Sequence, residues 1–214
     1  TFKLTVSTLA HASHSGMFGG AAPDAMLAAI RLLSTLHAPD GSVAVEGLTS
    51  RMATTPAYDE SRLAEEAALL PGVTPIGHGD VLSRLWDQPA ITITGIDAPS
   101  VLNASNTLVP SVTVKLSARI APGQNAADAY TALETHLREH APFGAHLTIS
   151  DVGRGKPFLV DTAGWAVEVA KDAMRQAWGV EAIETGIGGS IPFISDLVTV
   201  FPDAQILITG VEDP

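Results

Sequence analysis

The 214-residue chain has no cysteine, so it has no disulfide framework, no thiolate nucleophile and no cysteine-type zinc site. That fits a reducing compartment, and the expected location is cytoplasmic. Basic residues are few: 12 Lys and Arg against 23 Asp and Glu give a formal charge of -11. No cluster among them forms a stripe able to neutralise phosphates, so nucleic acid is not an expected partner. Long apolar runs are missing as well. Gly, Pro or charge interrupts every one before the roughly 20 residues that a membrane span requires, and no signal peptide opens the chain. No membrane partner is expected. An initiator Met is also lacking, and Thr1 begins directly inside a strand pattern, as expected of a piece excised or truncated from something longer. What remains is long enough to bury a real core, as one large domain or two small ones.

Apolar residues set out the order of elements. Phe2, Leu4, Val6 and Leu9 alternate with Lys3, Thr5 and Ser7, a half-buried strand that would deliver His14 at its C-terminal end. Met26, Leu27, Ile30, Leu33 and Leu36 recur at helical spacing after Pro23 and stop at Ala38-Pro39-Asp40-Gly41. Residues 42–88 form an irregular insertion: a short strand at Val43 to Val45, an acidic helix from Asp59 to Leu70 stopped by Pro71-Gly72, and a short helix from Val81 to Trp86. Ala90 to Ile96 and Ser111 to Ile120 alternate and are β-rich, as paired strands do. A helix at Ala126 to His140 and a strand at His146 to Ile149 complete the order β, α, β, β, α, β. The expected fold class is α/β: an α+β, ferredoxin-like split βαβ unit whose four-stranded sheet is backed by two helices, over residues 1–152. Beyond Gly153 to Pro157 the pattern becomes helix (Ala163 to Trp178), strand (Val180 to Glu184), glycine turn (Gly186 to Ser190), helix (Pro192 to Phe201) and strand (Ala204 to Thr209). This predicts a partial parallel α/β segment over 153–214, lacking the strands that would complete it.

Few residues carry chemistry. His14 stands beside Gly16, Gly19 and Gly20, which leave the backbone open to a ligand. Gly188-Gly189-Ser190-Ile191-Pro192 joins a strand to a helix, where exposed N–H groups favour an anion such as a carboxylate, although the same glycines would serve close packing. Arg119 ends a strand at a sheet edge, suited either to bidentate capture of a carboxylate or to a surface ion pair. His136 and His140 lie four apart among Glu134, Arg138 and Glu139, and without a third ligand nearby they are expected on a solvated helix face. His11 and His78 are taken as structural. No Gly-x-Ser-x-Gly elbow supports a serine hydrolase.

His14-Ser15-Gly16-Met17-Phe18-Gly19-Gly20, then Thr107-Leu108-Val109-Pro110, then Ser117-Ala118-Arg119-Ile120-Ala121-Pro122-Gly123-Gln124, then Gly188-Gly189-Ser190-Ile191-Pro192 together resemble the co-catalytic zinc peptidases. That family includes carnosine-type dipeptidases, aminoacylases and succinyl-diaminopimelate desuccinylases. The resemblance implies a lid and dimerisation domain inserted in a larger catalytic domain that holds two zinc ions, and a homodimer formed through the lid. It implies that His14 acts in trans on the partner's developing oxyanion. It also implies that Thr107 helps bind substrate, with Asn106 leaving the register open by one residue. Arg119 would clamp the substrate's carboxylate, and Gly189 and Ser190 would contact the substrate's C-terminal end.

Two departures qualify it. Carnosine-type relatives usually read Arg-Glu where Gly186-Ile187 stand, so substrate preference does not carry over. The family's zinc ligands, an N-terminal His-x-Asp, a bridging Asp, a Glu-Glu pair, a further acid and a final His, are absent from this chain, so no metal ligand is assigned. The expectation is a piece of a zinc-dependent dipeptidase that is inactive alone. The alternatives are an N-acyl-amino-acid amidohydrolase of the same family, or a stand-alone, non-catalytic dimerisation module.

Overall fold

The computed structural model describes residues 1–52, 55–155, 163–186, 192–201 and 203–209. Its elements are β1 (Phe2–Ser7), β2 (Ser13–His14), α1 (Ser15–Phe18), α2 (Ala25–Ser34), α3 (Glu60–Glu66), α4 (Val81–Trp86), β3 (Ala90–Asp97), β4 (Thr107–Leu108), β5 (Ser111–Arg119), α5 (Ala126–Glu139), β6 (His146–Ser150), α6 (Trp165–Trp178) and α7 (Pro192–Val200).

Alternation builds the main sheet. Phe2, Leu4 and Val6 of β1 and Val112, Val114 and Leu116 of β5 share one buried face, while Lys3, Thr5 and Ser7 turn to the other. β1 runs antiparallel to β5, from Phe2 opposite Leu116 to Ser7 opposite Ser111, and on its other side to β6, from Lys3 opposite Ser150 to Ser7 opposite His146. With β3 outside β5 the order is β3-β5-β1-β6, the expected split βαβ arrangement.

Two helices close the apolar face. Asp24 caps α2 by accepting from the Met26 N–H at 2.6 Å, and Ala25, Ala28, Ala29, Leu32 and Leu33 form its buried stripe. Asn125 caps α5 in the same way, and Ala129, Leu133, His136 and Leu137 face inward. Leu4, Leu32, Leu36, Leu116 and Leu137 are fully enclosed between the layers, where truncating any one to Ala costs about 2–5 kcal/mol.

Three expectations need correction. Val43 makes only an isolated bridge to His37, because Val45 turns into the core instead of continuing a strand. The acidic helix ends at Glu66, where Ala68 takes a left-handed φ of 51° ahead of Pro71-Gly72. α6 and α7 form as expected, but 181–184 and 204–209 are not strands: among the described residues neither hydrogen-bonds to a neighbouring strand, and an alternating segment without a lateral partner has no ladder to join. The sequence at Gly189 and Ser190 lies outside the described residues.

Candidate functional site

β1 stops at Ser7, short of the predicted Leu9. Beyond it the two chain branches separate and then re-pair: Ser13 faces Leu108 and His14 faces Thr107 in a two-stranded ribbon of β2 and β4. Between them Thr8 donates its N–H to the Pro110 carbonyl at 3.0 Å, and the longer branch loops out, carrying the exposed His11. His14 and Thr107, far apart in sequence, are therefore direct cross-strand neighbours. Asn106, beside Thr107, accepts the Ser15 N–H on its carbonyl at 2.9 Å, and Thr107 is the residue paired with His14.

The imidazole of His14 is set by its own turn. Its Nδ1 accepts the Gly16 N–H at 3.0 Å, capping α1. In the neutral ring the proton then sits on Nε2, the edge turned away from the loop, so the exposed face of His14 is a hydrogen-bond donor. Glycine is required for this fit. A Cβ at Gly16 would stand 2.9 Å from His14 Cε1, and one at Gly19 would stand 2.3 Å from the Ser15 carbonyl oxygen. Thr107 shares a 2.8 Å hydrogen bond with the Ser105 hydroxyl.

Arg119 lies at the other end of the main sheet. β5 begins beside this ribbon and runs nine residues to Arg119, about 27 Å at roughly 3.4 Å per residue. That far end is also where Thr1 enters and Ser150 leaves, since Lys3 faces Ser150. Arg119 is exposed and donates from Nη1 to the Leu85 carbonyl at 3.4 Å, at the last turn of α4. Among the described residues no carboxylate reaches it, so the surface ion pair weighed from sequence finds no partner among them. Trp86, next to Leu85, packs on Gly186, where an added Cβ would lie 2.4 Å from the indole Cγ. The insertion thus touches both Arg119 and the start of the glycine-rich segment, a juxtaposition that no sequence signal announced.

The other histidines separate by environment. His136 is buried with 8% exposure, correcting the solvated face expected from its charged neighbours. Thr35 gives its hydroxyl proton to the Leu32 carbonyl at 2.8 Å, so His136 Nε2–H donates to Thr35 Oγ1 at 2.9 Å. Desolvation by burial, reinforced by the adjacent His140, holds the His136 pKa below the usual histidine value. His140 is exposed, stacks on that ring at 4.1 Å and donates from Nδ1 to the His136 carbonyl. His78 is also exposed, 3.6 Å from Asp40. Among the described residues no three His, Asp or Glu side chains converge as a metal site would require, and no helix is long and apolar enough to cross a membrane.

Residues 1–145 match the model of the peptidase dimerisation domain found in M20 peptidases. The chain belongs to this family. The M20 chain is similar to the cysteinylglycine-S-conjugate dipeptidase of Corynebacterium striatum, 35% identical over 217 residues that cover 99% of this chain and 48% of that protein. The Cys-Gly metallodipeptidase dug1 of Schizosaccharomyces pombe is 24% identical across 89% of this chain and 43% of its own length. Among solved structures, the di-peptidase Dug1p of Saccharomyces cerevisiae superposes with a TM-score of 0.72 at 19% identity, covering 94% of this chain and 44% of that one. Human carnosine dipeptidase 1 gives 0.70 at 21% identity, covering 93% and 45%. At these identities the two structures speak for the fold. The chain spans about half the length of these curated relatives.

Proposed function

We propose that this chain is the lid and dimerisation part, with a portion of the catalytic domain after residue 152, of a zinc-dependent dipeptidase that works as a homodimer. The relatives named as dipeptidases and metallodipeptidases support the reaction class. The described residues do not fit a metal site, so no residue of this chain is assigned to zinc, and the chain alone is expected to be inactive.

One observation carries the division of labour: His14 and Thr107 are paired at one pole of β5, while Arg119 stands at the pole where the lid joins the rest of the chain. A single active site beside the junction receives Arg119 from its own subunit. It can receive His14 and Thr107 only from a second copy, because about 27 Å of strand separates them within one chain. Arg119, whose hydrogen-bond partner is a neutral carbonyl, keeps its charge for the substrate's carboxylate, and the Nε2–H of His14 serves the oxyanion that forms as the amide is attacked.

Subunit mixing tests this. In the whole protein, His14→Ala and Arg119→Ala each inactivate as homodimers. Random re-association makes half of the dimers mixed, each with one intact and one doubly impaired site, so about a quarter of wild-type Cys-Gly hydrolysis returns. If His14 and Arg119 served the same subunit's site, mixing would restore nothing.

A further inference from the structure

Residues 42–88 have no part in the reading above, yet their last helix touches two of its components. α4 is firmly built for its length. Asp80 accepts from the Ser83 N–H at 2.8 Å and from the Thr55 hydroxyl at 2.9 Å, Val81, Leu82 and Ser83 are buried, and Arg84 bonds the Ile76 carbonyl at 2.8 Å. Its final turn leaves carbonyls without helical partners, and one of them, on Leu85, holds the Arg119 guanidinium. The next residue, Trp86, presses its indole against the backbone of Gly186.

We propose that the C-terminal turn of α4 is a positioning element for substrate recognition: the Leu85 carbonyl aims Arg119 at the C-terminal carboxylate of a dipeptide, and the Trp86 indole, seated on Gly186, fixes the turn that carries this carbonyl. This rests on the assignment of Arg119 as carboxylate clamp. The physical case lies in the kinds of contact made. A neutral carbonyl occupies one of the five guanidinium donors without cancelling the charge, leaving a bidentate fork for a carboxylate. The rigid indole lies so close to Gly186 that an added Cβ would stand 2.4 Å from its Cγ, and close packing of this kind resists displacement of the turn. Trp86 is a positioning residue, since it acts through the Leu85 carbonyl and Arg119.

The test uses the whole protein, with Cys-Gly and its C-terminal amide as substrates. Trp86→Ala raises KM for Cys-Gly about tenfold while kcat changes less than about twofold, and it barely affects the amide. Trp86→Phe retains most of the affinity. Gly186→Ala alone also raises KM, and adding Trp86→Ala to it brings no further loss, because the clash partner is gone. Equal losses on acid and amide, or a fall confined to kcat, would overturn the proposal. A second readout needs no turnover: the emission lost between the whole protein and its Trp86→Phe variant reports Trp86. Glycylglycine then shifts its emission, glycinamide does not, and Arg119→Gln abolishes the response. A protein that shows this carboxylate-dependent shift but does not hydrolyse Cys-Gly keeps the positioning role and loses the dipeptidase reading. An emission unaffected by glycylglycine overturns the positioning role itself.

Discussion

At the scale of single residues, the role proposed for His14 depends on how a small turn spends one imidazole nitrogen. Because Gly16 N–H occupies Nδ1 of His14, the outward nitrogen is the protonated one, as an oxyanion donor must be. His14→Ala in the whole protein should lower kcat for Cys-Gly a hundredfold or more, the loss of roughly 3 kcal/mol of transition-state stabilisation, with little change in KM. Gly16→Ala should reproduce part of that loss without touching the donor, since the new methyl would stand 2.9 Å from Cε1 and the ring must swing away. Steady-state kinetics of both variants checks this, and an unaltered kcat in His14→Ala would remove the role. His14 and Arg119 were visible in the sequence through their motifs. Their separation to opposite poles was not, because it depends on which strands pair. His136 was misread because Glu134, Arg138 and Glu139 suggested a wet face, whereas its spacing from Ala129 and Leu133 puts it on the buried stripe.

At the scale of elements, long periodic segments were legible and two-residue ones were not. β1, α2 and β5 carry enough alternation or helical spacing to identify themselves, but the β2 and β4 ribbon that joins His14 to Thr107 has only two residues a side, too few for any period. The 180–184 and 204–209 segments erred in the other direction: their composition suits a strand, but strand formation is a property of a pair. Between α2 and α5 the burial of the His136 ring, reinforced by the adjacent His140, makes packing sensitive to pH. The folded pKa of His136 is lowered, so the unfolded chain binds the proton more tightly, and the stabilisation present above about pH 6.5 is lost as pH falls through the depressed folded value. Thermal unfolding between pH 8 and 5 should therefore show a Tm that drops on acidification, and His136→Gln should flatten that slope. A wild-type slope retained in the variant would place the sensitivity elsewhere.

At the scale of the whole molecule, the sheet ends among the described residues in two edge strands, β3 and β6, and they differ. β3 is broken by a bulge between Ile93 and Gly95, which blunts its ability to pair with a copy. β6 pairs without a shift along its whole length with β1, and no described strand pairs with its other side. The same side is apolar: α2 packs on the 142–144 turn preceding β6, where Arg31 covers the Phe143 ring, and its outer face exposes Leu27 and Ile30 at 43% and 56%. A two-fold axis at β6 would join two sheets into one and bury both helices against each other, an isologous contact of the kind a dimerisation domain requires. Ile30→Lys, at an exposed position that leaves the core intact, should convert the whole protein to monomers in sedimentation experiments, while Ile93→Lys on the bulged edge should leave the dimer. Function then follows from assembly. A monomer keeps Arg119 beside its own site but has no second copy to present His14, so Ile30→Lys should fall to the activity of His14→Ala without any change near the catalytic residues. A fully active monomer would show that each chain reaches its own site with its own histidine, and the 27 Å separation along β5 would need another explanation.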